Sequence, residues 1–404
     1  MTRPFLTRCL CVLALLGAAP AQAEEPPAWQ WGGSLRTLNL AGEEAPHDLF
    51  PAYRLSSTRL RLETAWQFHP AWRLETAGDY QLLGTDPAGT FALPGDGVNR
   101  RLDLDHSWRH DRSWAGRLQV DRFNLAWSAG HLDATFGRQA IGFGRIATYS
   151  PLDIIAPFPV DAIDTEFRPG VDAAKVTVHY GLDGQFGAVA VIGDTTRHNS
   201  YLVTWADNHG GIDLLAMGGM LRHRPMLGLG AAGSVGSLGL KGEAAFFEGD
   251  QVGEGDGDLH RHMLIAALEN WYRFDNGLTL IVEYLHNGAG SREPAGYPQT
   301  GLSAPLREGL TSLLGRHYLL MAPSYELHPL VTLSGLLVWN LADDSWLLRP
   351  RLAISLADNL SLELFWTHPE GESPRQRSFP FPSESRSEFG GQGDSAGFFL
   401  TWFF

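Results

Sequence analysis

From Ser57 to Phe68 the chain reads Ser-Thr-Arg-Leu-Arg-Leu-Glu-Thr-Ala-Trp-Gln-Phe, and its two faces differ at every step. Thr58, Leu60, Leu62, Thr64, Trp66 and Phe68 fall on one side. Ser57, Arg59, Arg61, Glu63, Ala65 and Gln67 fall on the other. Period two, with ions on one face and apolar groups on the other, describes a β-strand between two different solvents. A soluble sandwich strand also alternates, so the weight lies in the repetition. Trp72, Leu74, Thr76 and Tyr80 oppose Arg73, Glu75, Ala77 and Asp79, and Val176, Val178 and Tyr180 oppose Lys175, Thr177 and His179. Near the end, Leu348, Leu352 and Ile354 oppose Arg349 and Arg351, and Leu360, Leu362, Leu364 and Trp366 oppose Ser361 and Glu363.

Apolar residues make up 44% of the chain, yet after Ala23 no apolar run is long enough for a spanning helix. Such a helix needs roughly 18 residues. In hydrocarbon only helices and closed barrels satisfy their backbone groups, so a membrane form of this chain is a barrel. Turn signals punctuate the strands. Short ones (His69-Pro70-Ala71, Gly130-His131, Asp275-Asn276-Gly277, Asp358-Asn359) alternate with mostly longer polar connections near 41–53, 84–98, 145–169, 250–261, 287–315 and 368–394. Outer-membrane barrels have short periplasmic turns and long outer loops. With Trp29–Leu40 as the first upward strand, the expected fold is all-β, a transmembrane antiparallel up-and-down barrel of about 18 strands. Sixteen is the alternative, because 99–115 reads ambiguously. A change of phase between Leu118-Val120 and Phe123-Leu125-Trp127 places a bulge near Asp121-Arg122.

Arg3 and Arg8 precede the apolar run Cys9 to Ala19, and Ala21-Gln22-Ala23 follows it. That is the layout of a secretory signal peptide, 1–23, ahead of a barrel domain with long extracellular loops, 24–404. Cys9 and Cys11 leave with the signal, so no disulfide holds the mature chain. The net charge of −14 becomes more negative when Arg3 and Arg8 go, which argues against nucleic acid as a partner. At the other end Phe398, Leu400, Trp402 and Phe404 share a face. This resembles the C-terminal signal of bacterial outer-membrane proteins, and implies recognition by the barrel-assembly machinery through Phe404.

The segment Gly137-Arg138-Gln139-Ala140-Ile141-Gly142-Phe143-Gly144-Arg145 runs into Ser150-Pro151-Leu152-Asp153-Ile154-Ile155 and returns at Phe167-Arg168-Pro169-Gly170-Val171-Asp172-Ala173. It resembles a pattern of proteobacterial outer-membrane barrels of the porin and alginate-export-like group. The resemblance implies a multi-pass barrel in the bacterial outer membrane, surrounded by lipid and lipopolysaccharide. It also implies a positive constriction for an acidic solute, with Arg138 as the matching residue.

A pore selects through charged side chains that face its lumen. Alternation nominates Arg59, Arg61, Arg73, Arg117, Lys175, Arg349 and Arg351 as inward cations, with Arg138 joining them although Leu132, Ala134 and Phe136 set an outward phase. Inward acids are Glu63, Glu75, Asp79, Asp121, Glu243, Glu269, Glu283 and Glu363. Arg61 with Glu75 and Arg351 with Glu363 are the expected local pairs. Glu243, Glu269 and Glu283 are expected across the lumen from the cations, giving a transverse field. The 145–169 loop carries Pro151, Asp153, Pro157 and Pro159 among Leu152, Ile154, Ile155 and Phe158. An apolar, proline-stiffened loop is expected to fold inward as a constriction or to pack on the rim. Asp250, Glu254, Asp256 and Asp258 lack the Glu spacing of a Ca²⁺ loop and read as a solvated acidic loop; His260 and His262 lack further metal ligands. Ser234 and Ser237 lack a nucleophile-elbow frame, so neither an enzyme nor a cofactor is expected. The expected function is a porin-like channel passing polar or charged solutes. The alternatives are an alginate-export-like transporter of an anionic polymer or small acid, and a surface binding or scaffold barrel with a plugged lumen.

Overall fold

The computed structural model describes residues 28–48, 51–87, 98–109, 113–253, 257–376 and 383–404. The proposed signal, 1–23, lies outside them, as do Glu254 and Asp256. Eighteen antiparallel strands close into one barrel. They are β1 Trp29–Gly42, β2 Tyr53–His69, β3 Trp72–Asp86, β4 Trp114–Ala129, β5 Leu132–Gln139, β6 Val171–Tyr180, β7 Gly184–Val191, β8 Ser200–His209 and β9 Ile212–Leu221. The second half is β10 Arg224–Val235, β11 Leu238–Glu248, β12 His262–Arg273, β13 Thr279–Asn287, β14 His317–His328, β15 Val331–Asn340, β16 Trp346–Ala357, β17 Leu360–Glu370 and β18 Ser395–Phe403. Each strand pairs with its sequence neighbour, and β18 pairs with β1 from Ser34↔Phe403 to Gly42↔Ser395. Closure leaves neither the first strand nor the last as an edge.

The stretch 99–115 contributes no full strand. Asp105–Arg109 forms a short tongue on the upper half of β4, over Asp105↔Gln119 to Arg109↔Ala115. β5 pairs only with the lower half of β4, so the tongue continues the wall above it. The β3–β4 register skips Asp121, since Ala77 faces Arg122 and Gly78 faces Val120. This bulge rotates the upper part of β4 relative to the lower part, which accounts for the break in sequence phase.

Outward positions are apolar and exposed along the barrel, Leu62, Phe123, Phe136, Leu229 and Leu268 among them. Aromatic rings gather at the short-turn end. Trp29 meets Trp66 at 6.1 Å, Trp72 meets Trp127 at 6.2 Å and Trp402 meets Phe404 at 5.0 Å. Amphipathic rings in a band of this kind occupy a membrane–water interface.

The inside is not uniformly polar. The inner wall of β7 to β14 carries Val189, Met217, Met226, Phe247, Ile265 and Leu320, all buried. What covers them is the long connection between β5 and β6, which folds into the lumen. Its Leu152, Ile154 and Ile155 join the same buried cluster. Leu152 seats over Gly228 and Gly230 of β10; a Cβ there would come within 2.6 Å and 3.1 Å of it. Fully burying each such side chain is worth roughly 1.5–3 kcal/mol, which answers why an apolar loop turns inward. A second connection, 288–316, adds two short helices, Tyr297–Leu302 and Ala304–Arg307, with Leu310 and Leu313 in that cluster.

Candidate functional site

The inward loop is held by carboxylates on one wall and arginines on the other. On adjacent strands β11, β12 and β13, Glu243, Glu269 and Glu283 accept hydrogen bonds from its backbone. Arg145 N donates to Glu243 at 2.6 Å, Ala147 N to Glu269 at 2.6 Å and Tyr149 N to Glu283 at 3.2 Å. Ser150 Oγ also bonds Glu243. Glu269 and Glu283 stand directly opposite in register, an arrangement of like charges that costs energy. The loop's N–H donors and Lys241 Nζ, 2.7 Å from Glu269, offset it. All three carboxylates are almost fully buried. They therefore anchor the loop instead of presenting an open acidic wall.

The descending limb of the loop crosses to the seam of the barrel. Arg36 and Arg59, directly opposite on β1 and β2, grip Asp164 and Glu166; Arg59 reaches Asp164 at 3.2 Å, and Arg36 bonds Glu166. From β16, Arg349 donates to the carbonyl of Ala162 at 3.1 Å and Arg351 to that of Ile163 at 3.4 Å. Phe167 lies 4.4 Å from the Arg61 guanidinium and 5.1 Å from that of Arg59. Lower in the loop, Arg168 pairs with Asp153. Burial nonetheless pushes the Asp153 carboxyl up, and burial pushes the Tyr149 hydroxyl up to about 12.

Between loop and wall lies a cavity of about 660 Å³. Its arginines are Arg36, Arg59, Arg61, Arg117, Arg222 and Arg307, and its acids are Asp79, Asp121, Asp164 and Glu308. Ile155, Pro157, Phe158 and Pro159 form the loop side. Arg61 sits at the base with three acids, Glu63 at 2.6 Å, Asp79 at 2.8 Å and Asp121 at 3.0 Å. Below it a second cavity of about 400 Å³ is lined by Glu63, Arg73, Glu75 and Arg122. Among the described residues, the buried Nε groups of Arg36 and Arg59 have no hydrogen-bond partner.

Arg59, Arg61 and Arg117 thus line the upper cavity and Arg73 the lower. Lys175 is exposed on β6, and Arg351 pairs with Glu363 at 3.4 Å. Arg61 takes Glu63, Asp79 and Asp121 as partners, while Glu75 goes to Arg73 at 3.0 Å. Of the loop prolines, Pro151 is buried, Pro157 half-buried and Pro159 exposed. Arg138 departs from the expected lumen position. Gly137 adopts φ +112°, and its Cβ would meet the Phe123 carbonyl at 2.3 Å, so glycine is required where the strand reorients. Arg138, 2% exposed, then clamps the joint between β4, β6 and the tongue. It bonds Asp172 at 2.8 Å, the Val120 carbonyl at 2.9 Å and the Leu102 carbonyl. Arg349 is likewise buried beneath the loop. In the acidic loop, Asp258 binds Arg224 at 2.8 Å and Asp250 binds Arg197, so neither is simply solvated. Arg36, Asp164, Glu166 and Arg222 were not singled out from the sequence. Arg36 was reachable, because pairing the first two strands sets it against Arg59.

No protein-family description matches the chain, and no curated protein does. Solved structures do match over nearly its whole length. Acinetobacter baumannii OccAB4 superposes with a TM-score of 0.60 at 10% identity, covering 96% of this chain and 100% of that one. Pseudomonas aeruginosa OccK2 (OpdF) in complex with glucuronate gives 0.58 at 10% identity, over 93% and 97%. A BenF-like porin from Pseudomonas fluorescens Pf-5 gives 0.57 at 10% identity, over 93% and 98%. In fold, the chain is an eighteen-stranded barrel of the kind these outer-membrane porins have.

Proposed function

We propose that this protein is an outer-membrane channel for small polar and anionic solutes, with selectivity set at the arginine-lined waist. The observation that carries the reading is the upper cavity, where six arginines stand against four acids beneath a loop folded into the lumen. Its volume suits a small organic solute, since such sites commonly occupy roughly 300–1,000 Å³. That favours a small acid over a threaded polymer within the anionic class. The complex of OccK2 with glucuronate gives a precedent on a similar fold for a solute of that kind. In this reading the first 23 residues direct export, Phe404 presents the last strand to the assembly machinery, and the long loops face outward.

Reversal potential across a planar bilayer in a salt gradient tests the waist. Anion preference is expected for the native protein, and Arg59→Gln should weaken it. Cation preference in the native protein would sink the proposal. Deleting 150–166 should raise single-channel conductance and reduce ion discrimination. Unchanged conductance after that deletion would remove the loop from the selectivity mechanism, and a native barrel that never conducts would favour the plugged-lumen reading.

A further inference from the structure

The outward face changes character at the long-loop end of β12, β13 and β14. Leu264 and Tyr284 are exposed there, as lipid-facing residues are in the reading above, on which this inference rests for its membrane placement. The next outward positions along the strands are His262, His286 and His317. His286 is the register partner of His317, and their rings lie 5.0 Å apart. Tyr284 Oη and His317 Nδ1 are hydrogen-bonded at 2.7 Å, and His262 stacks on the exposed Phe246 at 5.7 Å. Just beyond the strands an isolated bridge joins Ser291 to Gly315, which sets the following residues, Arg292 and Arg316, side by side. Arg316 is fixed by the carbonyl of Gly290, at 3.0 Å from Nε, and meets His260 at 3.3 Å. Arg292 is exposed.

Among the described residues, no carboxylate lies within ion-pair distance of Arg292, Arg316 or the three histidines. Glu248, the register partner of His262, is instead 4.0 Å from Arg261. Partial burial, and then the charge of Arg292, push the Arg316 guanidinium below its usual range. The two guanidiniums repel one another, which costs stability unless something anionic covers them. Their height fixes where that partner sits. Tyr284 and Phe246 mark the aromatic level of the membrane interface, and Arg292 and Arg316 stand just above it, at headgroup depth. Guanidinium forks match phosphate oxygens in two-point contact.

We propose that His262, His286, Arg292, Arg316 and His317 form a docking site for the phosphate groups of a lipid in the outer leaflet. The site is on the lipid side of the wall, so it is separate from the permeation path. It would fix one headgroup against strands that also carry the anchor carboxylates Glu269 and Glu283 on their inner face.

Native mass spectrometry of the detergent-solubilised barrel, titrated with a diphosphorylated glycolipid, reads the occupancy. Arg292→Glu, at an exposed position that leaves the fold intact, should weaken binding by about fivefold for each unit of charge changed. The dephosphorylated lipid should bind native and variant protein equally weakly. Equal affinity of native and variant protein for the phosphorylated lipid overturns the proposal, as does equal affinity of the two lipids for the native protein. Displacement by micromolar inorganic phosphate also overturns it, in favour of a free-phosphate site. Conductance in planar bilayers separates the two failures. A conducting barrel without phosphate-dependent lipid binding sinks this inference alone, whereas a barrel that never inserts takes the channel reading with it.

Discussion

Arg61 and Arg73 share the inward face of neighbouring strands, and alternation assigns them the same role. Their surroundings separate them. Arg61 is 2% exposed and is the common partner of Glu63, Asp79 and Asp121, while Arg73 is about half exposed and pairs with Glu75. Removing one partner of a buried charge network strands the others without compensation, at about 3–5 kcal/mol. An exposed pair contributes about 0–1 kcal/mol. Arg61→Met should therefore shift denaturant unfolding in detergent, followed by tryptophan fluorescence, by several kcal/mol, and Arg73→Met should hardly move it. Similar losses in both would show that Arg61 is more solvated than its geometry implies. At this scale the sequence reports the face of a side chain, because period two is a local property. It does not report depth or partner, which depend on what crosses the lumen. Arg138 shows the other limit, since one glycine at positive φ breaks the alternation that would have placed it.

The inward loop shows what can be read of an element and what cannot. Leu152, Ile154 and Ile155 between prolines announced a segment that needs a partner. The partner was hidden because Met217, Met226 and Phe247 are apolar on the lumen face, which makes β9 to β11 look like poorly alternating strands until the loop is laid over them. Glu243, Glu269 and Glu283 were legible as inward acids, but their role as hydrogen-bond acceptors for loop backbone was not, because backbone donors leave no mark in a sequence. A second latch lies near the long-loop end. Glu388 accepts from Leu314 N at 2.7 Å, from Asn340 Nδ2 at 2.8 Å and from Tyr318 Oη, while its own N–H donates to Asp343 at 2.9 Å. Burial pushes the Glu388 carboxyl up to about 7. The latched state then holds a proton that the open state, with an ordinary carboxyl, releases in the same range. Latch stability is accordingly greatest in acid and falls as pH rises from the ordinary carboxylate range through neutrality. Hydrogen exchange at the Glu388 amide, corrected for intrinsic rate, should show less protection at about pH 8 than at about pH 5. Glu388→Gln should remove that dependence. A flat profile in the native protein would mean that the carboxyl is solvated.

Closure is the property of the whole molecule on which the waist depends, because the clamp on the inward loop straddles the seam. Arg36 and Arg59 lie on one side of it and Arg349 and Arg351 on the other, with the last strand between them. A barrel open at that seam, or closed in another register, would release Asp164 and Glu166 and widen the cavity. The seam register is specific enough to be tested chemically. Gly33 and Phe404 exchange both backbone hydrogen bonds, at 3.0 Å and 3.1 Å, so the adjacent pair Ser34 and Phe403 is of the non-hydrogen-bonded kind. Such pairs bring Cα atoms to about 4.5 Å, which is within the range a disulfide accepts. The only cysteines, Cys9 and Cys11, precede the proposed cleavage site, so a pair introduced by S34C and F403C would have no competitor in the mature chain. Oxidation of the folded double variant should link the first strand to the last nearly completely, and the linked chain should migrate faster on a denaturing gel than its reduced form. A slip of one residue in the seam would place one cysteine on the other face of the wall and leave the thiols free. Free thiols in a variant that is folded would refute the register, and with it the position of the arginine clamp.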